Sequence, residues 1–126
     1  MMPFTTGIVT NTKDFGTAAT NIVVSTRNLN LASSATITVQ IFGSTNSSSF
    51  TPLYQSVYVV APNSIDIREF LIAGNVAYEV QINVNSIPNS GVVMSTFGID
   101  QFGNLVPATR VLQSELTDIA ALTPLS

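Results

Sequence analysis

Val76-Ala77-Tyr78-Glu79-Val80-Gln81-Ile82-Asn83-Val84 alternates without a break. Val76, Tyr78, Val80, Ile82 and Val84 share one side of an extended chain, while Ala77, Glu79, Gln81 and Asn83 share the other. Successive side chains of a strand point to opposite faces, so this period of two predicts a strand with one buried and one wet face. The pattern recurs in Thr36-Ile37-Thr38-Val39-Gln40-Ile41-Phe42, with Ile37, Val39 and Ile41 expected inward. A shorter copy, Ser64-Ile65-Asp66-Ile67-Arg68, places Ile65 and Ile67 inward by the same logic.

Outward from these three segments, further strands are predicted over 21–27, 53–60, 92–99 and 105–112. Pro107 marks the last of them as an edge or bulged strand, because proline cannot donate to a ladder. Polar and glycine-containing stretches separate the strands: 28–34, 43–49, Pro62-Asn63, Ala73-Gly74-Asn75, 87–91 and 100–104. With no helical period of ten residues between them, seven strands at this spacing imply an all-β antiparallel sandwich or barrel. An eighth strand from the N-terminal segment would make a jelly-roll-like β-sandwich. The expected division is an extended N-terminal arm over 1–15, a sandwich over 16–113 and a C-terminal tail over 114–126. The tail spaces Leu116, Ile119, Ala120 and Leu122 in a way that fits either a short helix or an extended arm.

Composition removes most chemistry. The 126 residues contain neither histidine nor cysteine, and only 9% are charged. Triads, zinc sites and redox pairs built on those two side chains are therefore unavailable, as is disulfide stapling. Lys13, Arg27, Arg68 and Arg110 lie singly along the chain, so no basic patch offers itself to nucleic acid. No apolar run approaches the roughly 20 residues of a membrane helix. The segment 1–7 lacks the basic and apolar regions of a secretory signal, so either the protein is assembled inside the cell that makes it or a signal has been removed.

The seven carboxylates (Asp14, Asp66, Glu69, Glu79, Asp100, Glu115, Asp118) form no evident catalytic pair. Asp66 and Glu69 should face opposite sides of one strand, and Glu79 should meet a cross-strand arginine. The stretch 100–104 carries a single carboxylate and reads as a turn, not a calcium loop. No catalytic, metal or cofactor site is expected. Tyr54 and Tyr58 share a face and would be the stacking platform of a sugar-binding module, whereas Tyr78 belongs to the core set.

A surface of Ser, Thr, Asn and Gln with one lysine is poorly defended against edge pairing, which monomeric β proteins resist with charge and proline. Phe4 to Thr12 is β-prone and looks poorly anchored, so Phe4, Thr6, Ile8, Val9 and Thr10 are the expected contacts of an arm added to a neighbouring subunit's sheet. A strand of that length yields roughly 10 kcal/mol from hydrogen bonds and burial. Association costs about 4–15 kcal/mol, so lateral contacts between domain bodies are needed as well.

Three segments carry a resemblance: Val57-Tyr58-Val59-Val60-Ala61-Pro62-Asn63-Ser64, then 78–84, then Phe97-Gly98-Ile99-Asp100-Gln101-Phe102-Gly103-Asn104-Leu105. Over roughly residues 19–112 the chain resembles the subunits of bacterial (Bacillus-type) endospore appendages, pilus-like fibres of the spore surface. The resemblance implies a jelly-roll domain, an N-terminal connector and a helical homopolymer. It also implies assembly in the mother-cell cytoplasm without a signal peptide, with an anchoring protein and a tip protein as further partners. Better-known members carry connector cysteines that staple subunits, and Phe4 to Thr12 has none. The likeness is therefore to a finer, disulfide-free type of fibre. The expected function is a non-catalytic structural subunit. The alternatives are a surface-displayed carbohydrate-binding or adhesive module and a viral shell or tail subunit.

Overall fold

The computed structural model describes residues 2–13, 16–85 and 91–125. Among the described residues ten strands follow in chain order: β1 (Met2–Thr5), β2 (Val9–Thr10), β3 (Asn21–Asn28), β4 (Ala35–Ser44), β5 (Thr51–Val60), β6 (Ile65–Leu71), β7 (Ala77–Asn85), β8 (Val92–Ile99), β9 (Leu105–Val111) and β10 (Thr117–Asp118). They form two antiparallel sheets packed as a β-sandwich. One sheet runs β10-β1-β7-β4-β5, with β2 also on β7; the other runs β6-β3-β8-β9. Each of the seven strands expected between residues 21 and 112 is found, and β8 has the expected bounds. The turn expected over 87–91 lies, apart from Gly91, outside the described residues, as does Asp14.

The core follows from the alternation. Ile37, Val39 and Ile41 of β4 and Tyr78, Val80, Ile82 and Val84 of β7 are buried together, in register, at the centre of the first sheet. Ile22 and Val24 of β3 with Val92 and Met94 of β8 face them from the second sheet. Close packing forces one glycine: a Cβ on Gly98 would lie 2.6 Å from the Cβ of Ala19 and 2.9 Å from the Thr109 hydroxyl. Thr109 uses that proximity to accept the Gly98 N–H at 2.7 Å. Pro107 lies on β9, an edge strand with a register shift against β8, as its missing donor requires.

Three expectations are corrected. Ile65 and Ile67 point outward, each 62% exposed, while Asp66, Arg68 and Phe70 turn inward. The reversal has a physical cause: the Arg68 guanidinium lies 3.9 Å above the Tyr58 ring and pairs with Asp66 at 2.8 Å, and Phe70 packs tilted on Tyr54 at 5.3 Å. Gln81 and Asn83, expected to be wet, are buried. The tail crosses their face, and Gln81 exchanges two hydrogen bonds with Thr123, at 2.9 and 2.8 Å. Glu79 meets no arginine; it accepts hydrogen bonds from the Thr5 hydroxyl and, at 3.1 Å, from the Gln81 amide.

The termini belong to the sandwich. β1 pairs with β7 from Met2↔Val84 to Thr5↔Gln81, and β2 continues at Val9↔Tyr78. The tail is extended apart from a 3-10 turn at Gln113–Glu115, after which β10 covers the outer edge of β1. The expected separation of arm, body and tail is thus not a separation in space: 2–12 and 116–125 complete the first sheet and its cover, and Gln113 accepts the Met94 N–H of the second sheet.

Candidate interaction surface

The anchored arm changes the role of its five expected contact residues. Phe4 sits opposite Ile82 and is buried in the chain's own core. Thr6 donates its N–H to the Val80 carbonyl, and its hydroxyl accepts the Val80 N–H, both at 3.0 Å. Val9 packs on the core opposite Tyr78, and Thr10 pairs with Ala77. Ile8 and Thr10 are exposed, and Ile8 lies beside a shallow recess lined by Ser44, Ser47 and Phe50. The arm is therefore a docked strand rather than a loose one.

The residues that hold this end are ones that composition and period do not mark. Asn11 is fully buried; its amide donates to the carbonyls of Ala19 and Asn75 at 3.0 Å each, and its oxygen accepts the Ala19 N–H at 2.7 Å. At the opposite end Asn28 bridges the carbonyls of Ser33 and Val60 and accepts from the Asn30 N–H. Arg27 extends this clamp to the Pro62-Asn63 turn, donating to the Asn63 side-chain oxygen at 2.6 Å and to the Asn28 carbonyl at 2.8 Å. Asparagine's paired donor and acceptor suit it to such bridges, the one signal that the two buried asparagines carry.

The carboxylates stay scattered. Asp66 is tied to Arg68 and faces in, Glu69 faces out, and Glu115 accepts the Leu112 N–H at 2.8 Å. Asp100 accepts the N–H groups of Phe102 and Asn104, each at 2.9 Å, and so closes the turn that the sequence predicts. Among the described residues no group of three or more acidic side chains is gathered to hold a metal ion, and no helix is long and apolar enough to cross a membrane.

The tyrosines do not form an exposed platform. Tyr58 and Tyr78 are buried, and Tyr54 is half-buried against Phe70 with its hydroxyl donating to the Leu71 carbonyl at 2.7 Å. Burial pushes the Tyr78 hydroxyl up to about 12, the Thr109 hydroxyl offsetting part of the shift, and burial also raises Tyr58. Each unit is worth about 1.4 kcal/mol. A phenol whose folded pKa is raised stabilises the fold fully below pH 10 and loses that contribution as the pH climbs to about 12. Alkaline unfolding is therefore expected to begin in that window. Urea titrations at a series of alkaline pH values, with phenolate absorbance followed in parallel, check this; Tyr78→Phe should flatten much of the dependence.

Several large apolar side chains also remain exposed. The outer side of the second sheet presents Ile65, Ile67, Val93 and Leu112 around an open groove of about 590 Å³, floored by Ser25 and Ser95. Leu71 extends the row along β6 at 60% exposure. On the first sheet Val57 and Val59 of the edge strand β5 are 59% and 64% exposed. β5 and β6 follow one another in the chain and form the free edges of their respective sheets on the same side of the sandwich.

No family model matches the chain, and no curated protein matches it. Among solved structures, the crystal structure of Thermotoga maritima 1070 is similar, with a TM-score of 0.46 at 12% identity over 93% of this chain and 90% of that one.

Proposed function

We propose that this protein is a non-catalytic structural subunit that assembles with copies of itself into a fibre, an appendage of the pilus-like, spore-surface type built without disulfides. The sheet orders support reading the sandwich as a jelly roll with β9 standing where a first strand would lie beside β8. The observation that carries the proposal is the exposure of Val57, Val59, Ile65, Ile67 and Leu71 along two adjoining edge strands. Apolar surface of this kind, on the outer faces of both sheets and at their unpaired edges, calls for cover.

The docked arm refines how strand addition works. β1 fills a slot beside β7 in its own domain, so a neighbour's β1 would make the same contacts in the same slot. Such an exchange is neutral in contact energy and adds connectivity alone. The drive for assembly then comes from lateral burial. Covering the exposed fractions of those five aliphatic side chains is worth on the order of 5–9 kcal/mol, comparable with the association cost of about 4–15 kcal/mol.

Electron microscopy of the purified full chain is expected to reveal filaments, and a stably monomeric protein at high concentration overturns the reading. A chain lacking residues 2–12, supplied with a peptide of those residues, should fold but stay unpolymerised, because the exchanged strand is no longer tethered. Normal filaments from that mixture would remove the connector role.

A further inference from the structure

We propose that β6 is a self-complementary docking edge to which a second copy of this chain adds its own β6, antiparallel, about a two-fold axis at Ile67. The proposal deepens the self-assembly reading by naming the partner and the register, and it makes no use of the exchange of β1.

Four observations select this strand and this register. The first is which backbone groups are free. Asn28 N–H bonds the Ser64 carbonyl at 2.9 Å and Ile72 N–H bonds the Thr20 carbonyl at 2.7 Å, so the even-numbered residues of β6 are the ones bonded to β3. In an antiparallel ladder bonded pairs alternate, so Ile65, Ile67, Glu69 and Leu71 direct their N–H and C=O groups away from β3, to the open edge. The Leu71 carbonyl is already taken there by the Tyr54 hydroxyl, which confines new pairing to Ile65, Ile67 and Glu69.

The second is the absence of the usual protection. Among the described residues, β5 carries Pro52 next to a register shift, β9 contains Pro107 beside another, and β10 is two residues long. β6 is a regular edge of seven residues with neither proline nor lysine. Its deterrents are charges, Asp66 and Arg68 on the inner side and Glu69 on the outer, which oppose indiscriminate pairing.

The third is what those charges permit. A two-fold at Ile67 sets Asp66 opposite Arg68 of the second copy and Arg68 opposite Asp66 of the second copy. These are non-hydrogen-bonded positions, where facing side chains come closest. Moving the axis to Glu69 sets Arg68 against Phe70, and moving it to Ile65 sets Asp66 against Ser64. The charge pattern thus rejects neighbouring registers and accepts one.

The fourth is the outer face. The same two-fold brings Ile67 against its counterpart and Ile65 against Glu69 of the second copy. The Ile67 pair then joins the outer apolar groove of one copy to that of the other across a sheet doubled in width.

The chain has no cysteine, so a single introduced thiol can pair only with its own copy. Facing bonded residues lie about 5.5 Å apart at Cα, within the roughly 4.4–6.8 Å span of a disulfide. Mild oxidation of I67C is expected to give nearly complete disulfide-linked dimer. I65C, equally exposed but four positions from its own counterpart across the axis, should give little. D66R and R68D should each weaken self-association roughly tenfold by setting like charges opposite one another, and D66R/R68D should restore it. Equal cross-linking at both positions, or none at position 67, overturns the proposal, as does a double reversal that fails to rescue. Filaments that form while I67C stays reduced would overturn this register and leave the self-assembly reading standing.

Discussion

Alanine at position 11 is expected to lower the stability of the fold by about 3 kcal/mol or more, since burying an unpaired donor or acceptor costs about 1–3 kcal/mol for each of the three groups left unpaired. The Asn11 side chain serves three backbone groups at once: the Ala19 N–H, the Ala19 carbonyl and the Asn75 carbonyl. All belong to a buried junction where the chain enters β3 and where the β6–β7 turn ends. Asn11→Asp separates this from a simple loss of volume. An aspartate keeps the acceptor for Ala19 but turns a second carboxylate oxygen toward two carbonyls, so it should be at least as damaging as alanine at neutral pH. Facing those carbonyls, the carboxyl has a folded pKa above its unfolded value of about 3.9. Its protonated form regains the donor, so the Asp variant should gain stability relative to the Ala variant as pH falls toward that value. Urea unfolding at neutral and mildly acidic pH measures both effects. A loss of only about 0.5 kcal/mol, typical of an exposed site, would show that Asn11 is not the clamp.

The contrast between Asn11 and the strands marks what this sequence makes legible. Period two located β4 and β7 and chose the right inner face for both, because Ile37, Val39, Ile41, Tyr78, Val80, Ile82 and Val84 are all large and apolar. In β6 the same period was read correctly and the face wrongly. Alternation gives two sets of side chains but not which set is buried, and here stacking of Arg68 on Tyr58 and the Asp66 pair outweigh the burial of two isoleucines. Gln81 and Asn83 misled for a related reason: a polar row reads as wet unless the segment that covers it is known, and Thr123 lies far along the chain. Asn11 and Asn28 give no period at all, since one side chain bonding three backbone groups leaves no trace in its neighbours. The candidate surface was half legible. Weak edge protection followed from composition, but its location on β5 and β6 required knowing that Ile65 and Ile67 face out.

Phe4→Ala is expected to undock β1. Ordering a strand of four residues costs about 4–8 kcal/mol in backbone entropy. Its ladder bonds to β7 contribute about 1 kcal/mol each, which leaves the balance to side-chain burial. Phe4 is the buried aromatic of that strand, opposite Ile82, and truncating a buried Phe costs about 3–5 kcal/mol. The global fold should lose less than that figure, because once β1 leaves its slot nothing further is lost by weakening it. Hydrogen exchange should resolve the difference. Amides of β1, and those of β10 that pair with it at Phe4 and Thr5, should lose protection together, while the β3–β8 ladder keeps its own. Release of β10 also loosens the tail over Gln81, so Thr123 should follow. In the proposed fibre the same substitution would act on the exchanged strand, whichever copy it fills. A subunit whose β1 no longer holds its slot cannot link two neighbours, so filaments of Phe4→Ala should be absent or far shorter at a concentration where the parent chain polymerises. Unchanged protection at β1 would mean that Phe4 does not anchor the strand. Full-length filaments from a chain with β1 undocked would mean that lateral contacts alone build the fibre.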